Sequence, residues 1–134
     1  MVKELARHDI GIAKTVAGTF EDVIARTEAA LKDQGFGVLT RIDVKATMKE
    51  KLNADVAPYV ILGACNPPIA HEALTIEPRI GLLLPCNVVV RQEGSKVRVE
   101  AIEPYAMVEM FPDKDLADVA SDASDRLHRA VDAI

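Results

Sequence analysis

The sequence has few aromatic residues and few cysteines. Tryptophan is absent and aromatic residues account for 4% of the 134 residues, so the core must rest on Val, Ile, Leu and Ala. A chain of this length is typical of one domain and can bury a sizeable core without disulfides or bound metal. In a cytoplasmic protein we expect the two cysteines to be free thiols, ligands or redox groups rather than a permanent disulfide.

Long apolar runs and basic patches are also lacking. The longest apolar stretch, residues 80–90, is interrupted by Pro85 and Asn87 and is too short to span a membrane. The first nine residues contain no apolar segment, so no secretory signal is expected. The net charge is −5 with Lys and Arg scattered, whereas nucleic acids and anionic membrane surfaces require a basic face. We therefore expect a cytoplasmic protein with neither nucleic acid nor membrane as a partner.

Familiar catalytic motifs are missing as well. The sequence has no glycine-rich phosphate loop and no Gly-x-Ser-x-Gly element. Its carboxylates are spread over different predicted elements, and no local spacing forces two of them together. His8 and His128 fall on segments that we expect to be exposed to solvent. The sequence therefore gives no support to an enzyme built on one of these arrangements.

The first half of the chain predicts alternating strands and helices. A strand is expected over residues 10–18, followed by a helix that is capped by Thr19 and stopped by Gly35. Residues 36–44 alternate and predict a half-buried strand, and Asp43 can cap a short helix that runs through Leu52. The continuous apolar run over residues 59–65 is typical of a buried central strand. The alternating residues of the half-buried strand that we place on one face are Phe36, Val38, Thr40, Ile42 and Val44.

The second half predicts a short helix, a hairpin and a long helix. Asn66 can cap a helix that begins with Pro67 and ends before Pro78. Residues 80–85 fit either a helical turn or a strand. Residues 86–91 and 96–101 form a hairpin across Gly94, and residues 113–134 form an amphipathic helix.

No linker, repeat or low-complexity tract divides the chain, so residues 1–134 are expected to form a single domain. Consecutive strands with few long crossovers favour an α+β fold, a mainly antiparallel sheet with two long helices on one face. Short helical segments interrupt the strands. The other face of the sheet must then be covered, carry a ligand or pair with another subunit.

Three segments together resemble a known family. Residues 35–44, 59–68 and 80–90 are similar to an uncharacterised prokaryotic family, the three-hundred-and-second domain of unknown function in its series. The resemblance implies a TATA-binding-protein-like β-α-β4-α fold, often found as a dimer, and it implies no reaction. It also leads us to expect a glutamate where Arg41 stands, so an acidic role at that position is in doubt.

Two short motifs form the candidate functional site: Cys65-Asn66-Pro67 and Pro85-Cys86-Asn87. If their strands are antiparallel neighbours, the two thiols lie at the same edge of the sheet, whereas a parallel arrangement separates them by roughly 20 Å. Cys65 also precedes a predicted helix N-terminus, where the helix dipole can lower a thiol pKa. The alternative is that both cysteines are small buried apolar residues.

A metal site is a further possibility. Cys65, Cys86 and His71, with Glu72 or Asp43 as a fourth group, would make an irregular ligand set for zinc. Thiolates could equally hold copper or bind haem iron axially. The sequence selects none of these cofactors.

Three hypotheses about function follow. The first is a module, expected to be a homodimer, that binds a small molecule or ion near the two motifs. Its candidate binding residues are Cys65, Asn66, His71, Cys86 and Asn87. The second is a thiol enzyme or redox sensor with Cys65 as nucleophile and Cys86 as resolving thiol. The third is a structural module whose sheet face mediates dimerisation.

Overall fold

The computed structural model describes residues 9–134. One five-stranded sheet has the strand order β1-β5-β4-β3-β2, with every neighbouring pair antiparallel. The strands are β1 (Gly11–Val16), β2 (Gly37–Asp43), β3 (Tyr59–Cys65), β4 (Cys86–Glu93) and β5 (Lys96–Ile102). The helices are α1 (Phe20–Asp33), α2 (Val44–Leu52), α3 (Pro67–Ile76), α4 (Pro104–Val108) and α5 (Ala117–Asp132), with a 3-10 helix over Pro78–Leu83. The predicted α+β class and the β-α-β4-α order are confirmed.

Local capping chemistry sets the starts of the first three helices, as predicted. The Thr19 hydroxyl accepts a hydrogen bond from the Asp22 amide at 3.1 Å at the start of α1. The Asp43 carboxylate accepts one from the Ala46 amide at 2.9 Å at the start of α2. Asn66 caps α3 in the same way. These side chains satisfy backbone amides that the first turn leaves without an intrahelical partner.

The main core lies between one face of the sheet and the two long helices. The inward residues of the central strands are fully buried because alternate residues of a strand point to the same face. They pack against the apolar stripes of α1 and α5. Among the most deeply buried side chains are Ile24 and Leu31 of α1, Leu62 of β3, Val90 of β4, Val99 of β5 and Leu127 of α5.

A second, smaller apolar cluster lies beyond the end of the sheet. Its buried members are Ala73 of α3, Ile80 of the 3-10 helix, Leu116 and Val119. The last two come from the start of α5 and the turn before it, so this helix contributes to both clusters. α5 therefore joins the sheet core to the region formed by α3 and the 3-10 helix.

The predicted half-buried strand at residues 36–44 is wrong in one respect. The pairing of β2 with β3 shifts register between Val38 and Thr40. Such a bulge reverses which residues face the core. Val38 therefore packs on the core, whereas Ile42 is 48% exposed. β2 is an edge strand with most of its residues exposed.

The later elements differ from the prediction mainly at their ends. The last helix begins at Ala117 rather than at residue 113, because residues 111–116 form a turn with its own backbone hydrogen bonds. Residues 78–83 form the 3-10 helix, which settles the ambiguous segment, and α4 was not predicted. The hairpin is confirmed, with Gly94 at φ +61° in its turn. Within residues 9–134, no helix is both long and apolar enough to cross a membrane.

Candidate functional site

The two cysteine motifs lie at the same edge of the sheet. β3 and β4 are antiparallel neighbours, and Cys86 lies directly opposite Ala64, the residue before Cys65. This is the arrangement on which the sequence argument depended. The two cysteines are free thiols, are offset by one residue in register and are both partly buried.

A cavity of about 340 Å³ opens beside these motifs, and both cysteines line it. Its floor is the end of the sheet, and its walls are α3, the 3-10 helix, α4 and α5. The lining residues are Phe36, Leu39, Ala64, Cys65, Asn66, Ile69, Ala70, Ala73, Leu74, Ile80, Leu84, Pro85, Cys86, Pro104, Met107, Val108, Val119, Ala120 and Ala123. The volume falls at the lower end of the range of small-molecule sites, about 300–1,000 Å³.

The cavity exists because the two apolar clusters do not close on each other. Phe36 and Ala64 of the sheet core form one side, and Ala73, Ile80 and Val119 of the smaller cluster form another. Where α5 passes between them, it presents the small side chains of Ala120 and Ala123 to the gap beside Val119. Small side chains at this point leave space that Leu or Phe would occupy.

Asn66 lines the cavity, but its side chain is already engaged in the fold. It is 7% exposed, and its Oδ1 accepts a hydrogen bond from the Ile69 amide at 3.3 Å. Its Nδ2 donates to the Gln34 carbonyl at 3.4 Å. The side chain thus ties the start of α3 to the end of α1. It holds the α3 wall in place and offers little to a ligand.

Cys86 is held in its protonated form at neutral pH. Burial, with a smaller contribution from the neighbouring Cys65, raises the pKa of Cys86 from 9.0 to about 11. A thiol is a weak nucleophile, since the thiolate is the reactive form. Cys86 therefore fits an uncharged cavity wall better than it fits the role of resolving thiol.

Two other predicted site residues do not line the cavity. Asn87 is exposed on the opposite face of the sheet, because it follows Cys86 in the strand and adjacent side chains alternate. His71 is exposed on α3 and is absent from the cavity lining. In the part of the chain that the structure describes, no three His, Cys, Asp or Glu side chains are grouped to hold a metal ion. The predicted set of Cys65, Cys86, His71 and a carboxylate is therefore not assembled.

Most of the cavity wall could not be identified from the sequence. α4 was not predicted, so Pro104, Met107 and Val108 had no place in it. The available signal was the spacing of alanines on the inner faces of two helices, residues 70 and 73 on α3 and residues 120 and 123 on α5. Alanines at that spacing indicate either a helix face that packs closely on its neighbour or one that borders a cavity. Only the tertiary structure shows which of these alternatives applies.

Comparisons with known proteins agree with the fold. No curated protein is significantly similar to this chain. The crystal structure of an uncharacterized conserved protein DUF302 from Bacillus stearothermophilus is similar, with 32% sequence identity and a TM-score of 0.87. The similarity covers 94% of this chain and 98% of the other. A family model described as "Domain of unknown function DUF302" matches residues 12–134. The chain therefore belongs to the DUF302 family.

Proposed function

We propose that this protein binds a small molecule in the cavity beside Cys65 and Cys86. The observation that carries the proposal is the cavity itself, about 340 Å³ of space at the end of the central strands. The space opens to solvent beside Leu74, which is 39% exposed. A mainly apolar cleft of this volume is typical of small-molecule sites.

The bonding within the walls supports the same function. The floor is made by Ala64 and Cys86, which face each other across two central strands. One wall is fixed by the Asn66 hydrogen bonds to Ile69 and Gln34. A preformed site spends little free energy on ordering when the ligand enters. The two cysteines serve as uncharged wall residues in this proposal, and no thiol reaction is assigned to them.

Filling the cavity tests the proposal. N-phenyl-1-naphthylamine, which fluoresces in apolar surroundings, is titrated into the wild-type protein and into Ala73→Phe. Ala73 is 6% exposed and lines the cavity, so phenylalanine there occupies the ligand's space. The matched control is Ala46→Phe on the exposed side of α2. We expect binding to the wild type and the control, and its loss in Ala73→Phe.

Ala70→Phe provides a second filling variant at a partly buried position, in case the deeper substitution prevents folding. Circular dichroism establishes that each variant is folded. Equal binding by the wild type and a folded filling variant would place the probe elsewhere and contradict the proposal. No binding by the wild type would contradict it directly.

A second candidate function is homodimerisation through the face of the sheet opposite the long helices. There Ile42, Ile61 and Val89 lie side by side on three neighbouring strands. The charged groups next to this band are paired within the chain: Arg98 with Glu100 at 3.7 Å, and Arg91 with Glu93 at 3.1 Å. An apolar band without unpaired charge is complementary to itself, as a two-fold interface requires.

Sedimentation velocity at micromolar concentration tests the dimer. We expect the wild type to sediment as a dimer and Ile42→Asp to sediment as a monomer, because a carboxylate would be buried in the interface. Leu52→Asp, at an exposed leucine on α2, is the matched control. A monomeric wild type would exclude this function without affecting the cavity. We place both functions in the cytoplasm.

A further inference from the structure

The side chains that line the cavity carry no charge. Among the residues that form its wall there is no Asp, Glu, Lys, Arg or His. The polar residues of the wall are Asn66, Cys65 and Cys86. The Cys86 thiol stays protonated well above neutral pH. A charged ligand would therefore find no counter-ion on the wall.

The polar atoms near the cavity are already satisfied. Both polar ends of Asn66 make hydrogen bonds within the fold. In residues 9–134, no buried side-chain nitrogen or oxygen lacks a hydrogen-bond partner. A site shaped for a charged or strongly polar ligand normally holds converging polar groups for it. This cavity has none to spare.

The two buried carboxylates that flank the cavity segments are also engaged. Glu77, at the end of α3, accepts a hydrogen bond from the Arg79 amide at 2.8 Å and lies 3.7 Å from the Lys114 ammonium. Glu103, before α4, lies 3.3 Å from His128 Nε2, and its other oxygen accepts from the Tyr105 amide at 3.4 Å. Both groups are paired, and neither is part of the cavity wall.

We infer that the cavity selects an uncharged, mainly apolar molecule, about the size of two or three aromatic rings. This rests on the proposed binding function and adds the chemical class of the ligand. A charged group in the cavity would lose its hydration without gaining a partner, which is strongly unfavourable. An apolar group gains free energy in proportion to the area that it buries.

Two fluorescent probes that differ by one charged group test the inference. N-phenyl-1-naphthylamine is neutral, and 8-anilino-1-naphthalenesulfonate carries a sulfonate on the same ring system. A sulfonate stays ionised at any working pH, so it cannot enter by taking up a proton. Binding is counted as cavity binding only where Ala73→Phe or Ala70→Phe removes it. We expect the neutral probe to bind at least about tenfold more tightly, which corresponds to about 1.4 kcal/mol.

A charge placed at the mouth of the cavity tests the cause of the preference. Leu74 lines the cavity and is 39% exposed, so Leu74→Lys can bring an ammonium to the sulfonate. We expect the ratio of its affinity for the sulfonate probe to its affinity for the neutral probe to rise roughly threefold to tenfold, because only the sulfonate is attracted to the ammonium. Leu52→Lys, on α2 and outside the cavity lining, should leave the ratio of affinities unchanged.

The outcomes separate the two proposals. Equal or tighter cavity binding of the sulfonate probe by the wild type would overturn the charge selectivity and leave the binding function standing. An unchanged ratio of affinities in Leu74→Lys would overturn the electrostatic explanation and the inference with it. Failure of both probes to bind the wild type would overturn the binding function itself.

Discussion

Replacing one cavity-lining alanine with leucine should stabilise the protein, whereas the same change in the packed core should destabilise it. Ala123 of α5 is 5% exposed and faces the cavity. Ala30 of α1 is 7% exposed and belongs to the main core cluster, away from the cavity. The two sites share secondary structure, residue type and burial. They differ in whether space is available beside the methyl group.

The expected magnitudes have opposite signs. Leucine adds three carbon atoms to alanine, and burying them is worth about 2 kcal/mol at ~0.8 kcal/mol each. Ordering the longer side chain costs about 0.5–1 kcal/mol. Ala123→Leu should therefore raise the free energy of unfolding by about 1–2 kcal/mol. Ala30→Leu must displace packed neighbours and should lower it by about 1–3 kcal/mol.

Urea denaturation followed by circular dichroism measures both changes. We expect the Ala123→Leu midpoint to rise by roughly 0.5–1 M and the Ala30→Leu midpoint to fall. The denaturant slope should stay constant, so that the midpoints report stability alone. If Ala123→Leu destabilises the protein by as much as Ala30→Leu, the gap is closed in solution and the cavity does not exist there.

Three further substitutions probe the cavity wall and the sheet. Burial raises the pKa of Cys86 to about 11. The thiol therefore loses its proton at lower pH in the unfolded chain than in the folded protein, and the free energy of unfolding falls as pH rises from 9 toward 11. In Cys86→Ala, this fall should be smaller by about 2–3 kcal/mol. Asn66→Ala should lower stability by about 1–2 kcal/mol, because the amide at the start of α3 loses its cap. Gly63→Ala should lower stability by about 1–3 kcal/mol, because a Cβ there would collide with the Thr40 hydroxyl and lie 2.8 Å from Pro85 Cγ.

Each of these substitutions has a control measured by the same urea titration. Cys65→Ala should keep most of the fall in stability between pH 9 and 11, since burial, more than Cys65, raises the pKa of Cys86. If Cys86→Ala shows the same fall as the wild type, Cys86 is not its cause. The control for Asn66→Ala is Asn87→Ala, on the other face of the sheet. The control for Gly63→Ala is Gly37→Ala, where an added Cβ meets nothing within 4 Å. Each control should change the free energy of unfolding by less than about 0.5 kcal/mol. Losses in these controls equal to those at Asn66 and Gly63 would refute the local explanations.

The fold could be predicted from the sequence wherever local chemistry decides the structure. Thr19, Asp43 and Asn66 cap helices as their residue types indicated. Gly35 and Gly94 adopt the positive φ angles of a helix stop and a hairpin turn. Each of these features depends on a few neighbouring residues, so the sequence contains the information.

The errors occurred where tertiary structure decides. The alternation in residues 36–44 gave no sign of the bulge between Val38 and Thr40, or of the edge position that leaves β2 exposed. α5 begins at Ala117 without a side-chain cap, so the sequence signal for its start was absent. α4 has five residues and begins at Pro104, which is too short for a helical periodicity to show.

The candidate site was predicted in part. The sequence placed Cys65 and Cys86 at one sheet edge on the condition of antiparallel pairing, and the strand order confirms that pairing. It could not reveal that Asn87 and His71 lie outside the cavity. It also could not reveal a space between two clusters, because a cavity depends on how separate elements pack rather than on any one of them.

Xenon binding tests the central claim most directly, because xenon enters apolar cavities and has no preference for charge or hydrogen bonds. Crystals are pressurised with xenon, and anomalous difference density is compared with that of an unpressurised crystal. We expect a xenon peak in the space bounded by Ala73, Met107 and Ala123. A chain of ordered waters in that space, or no xenon there, would contradict an apolar cavity that is open to a ligand.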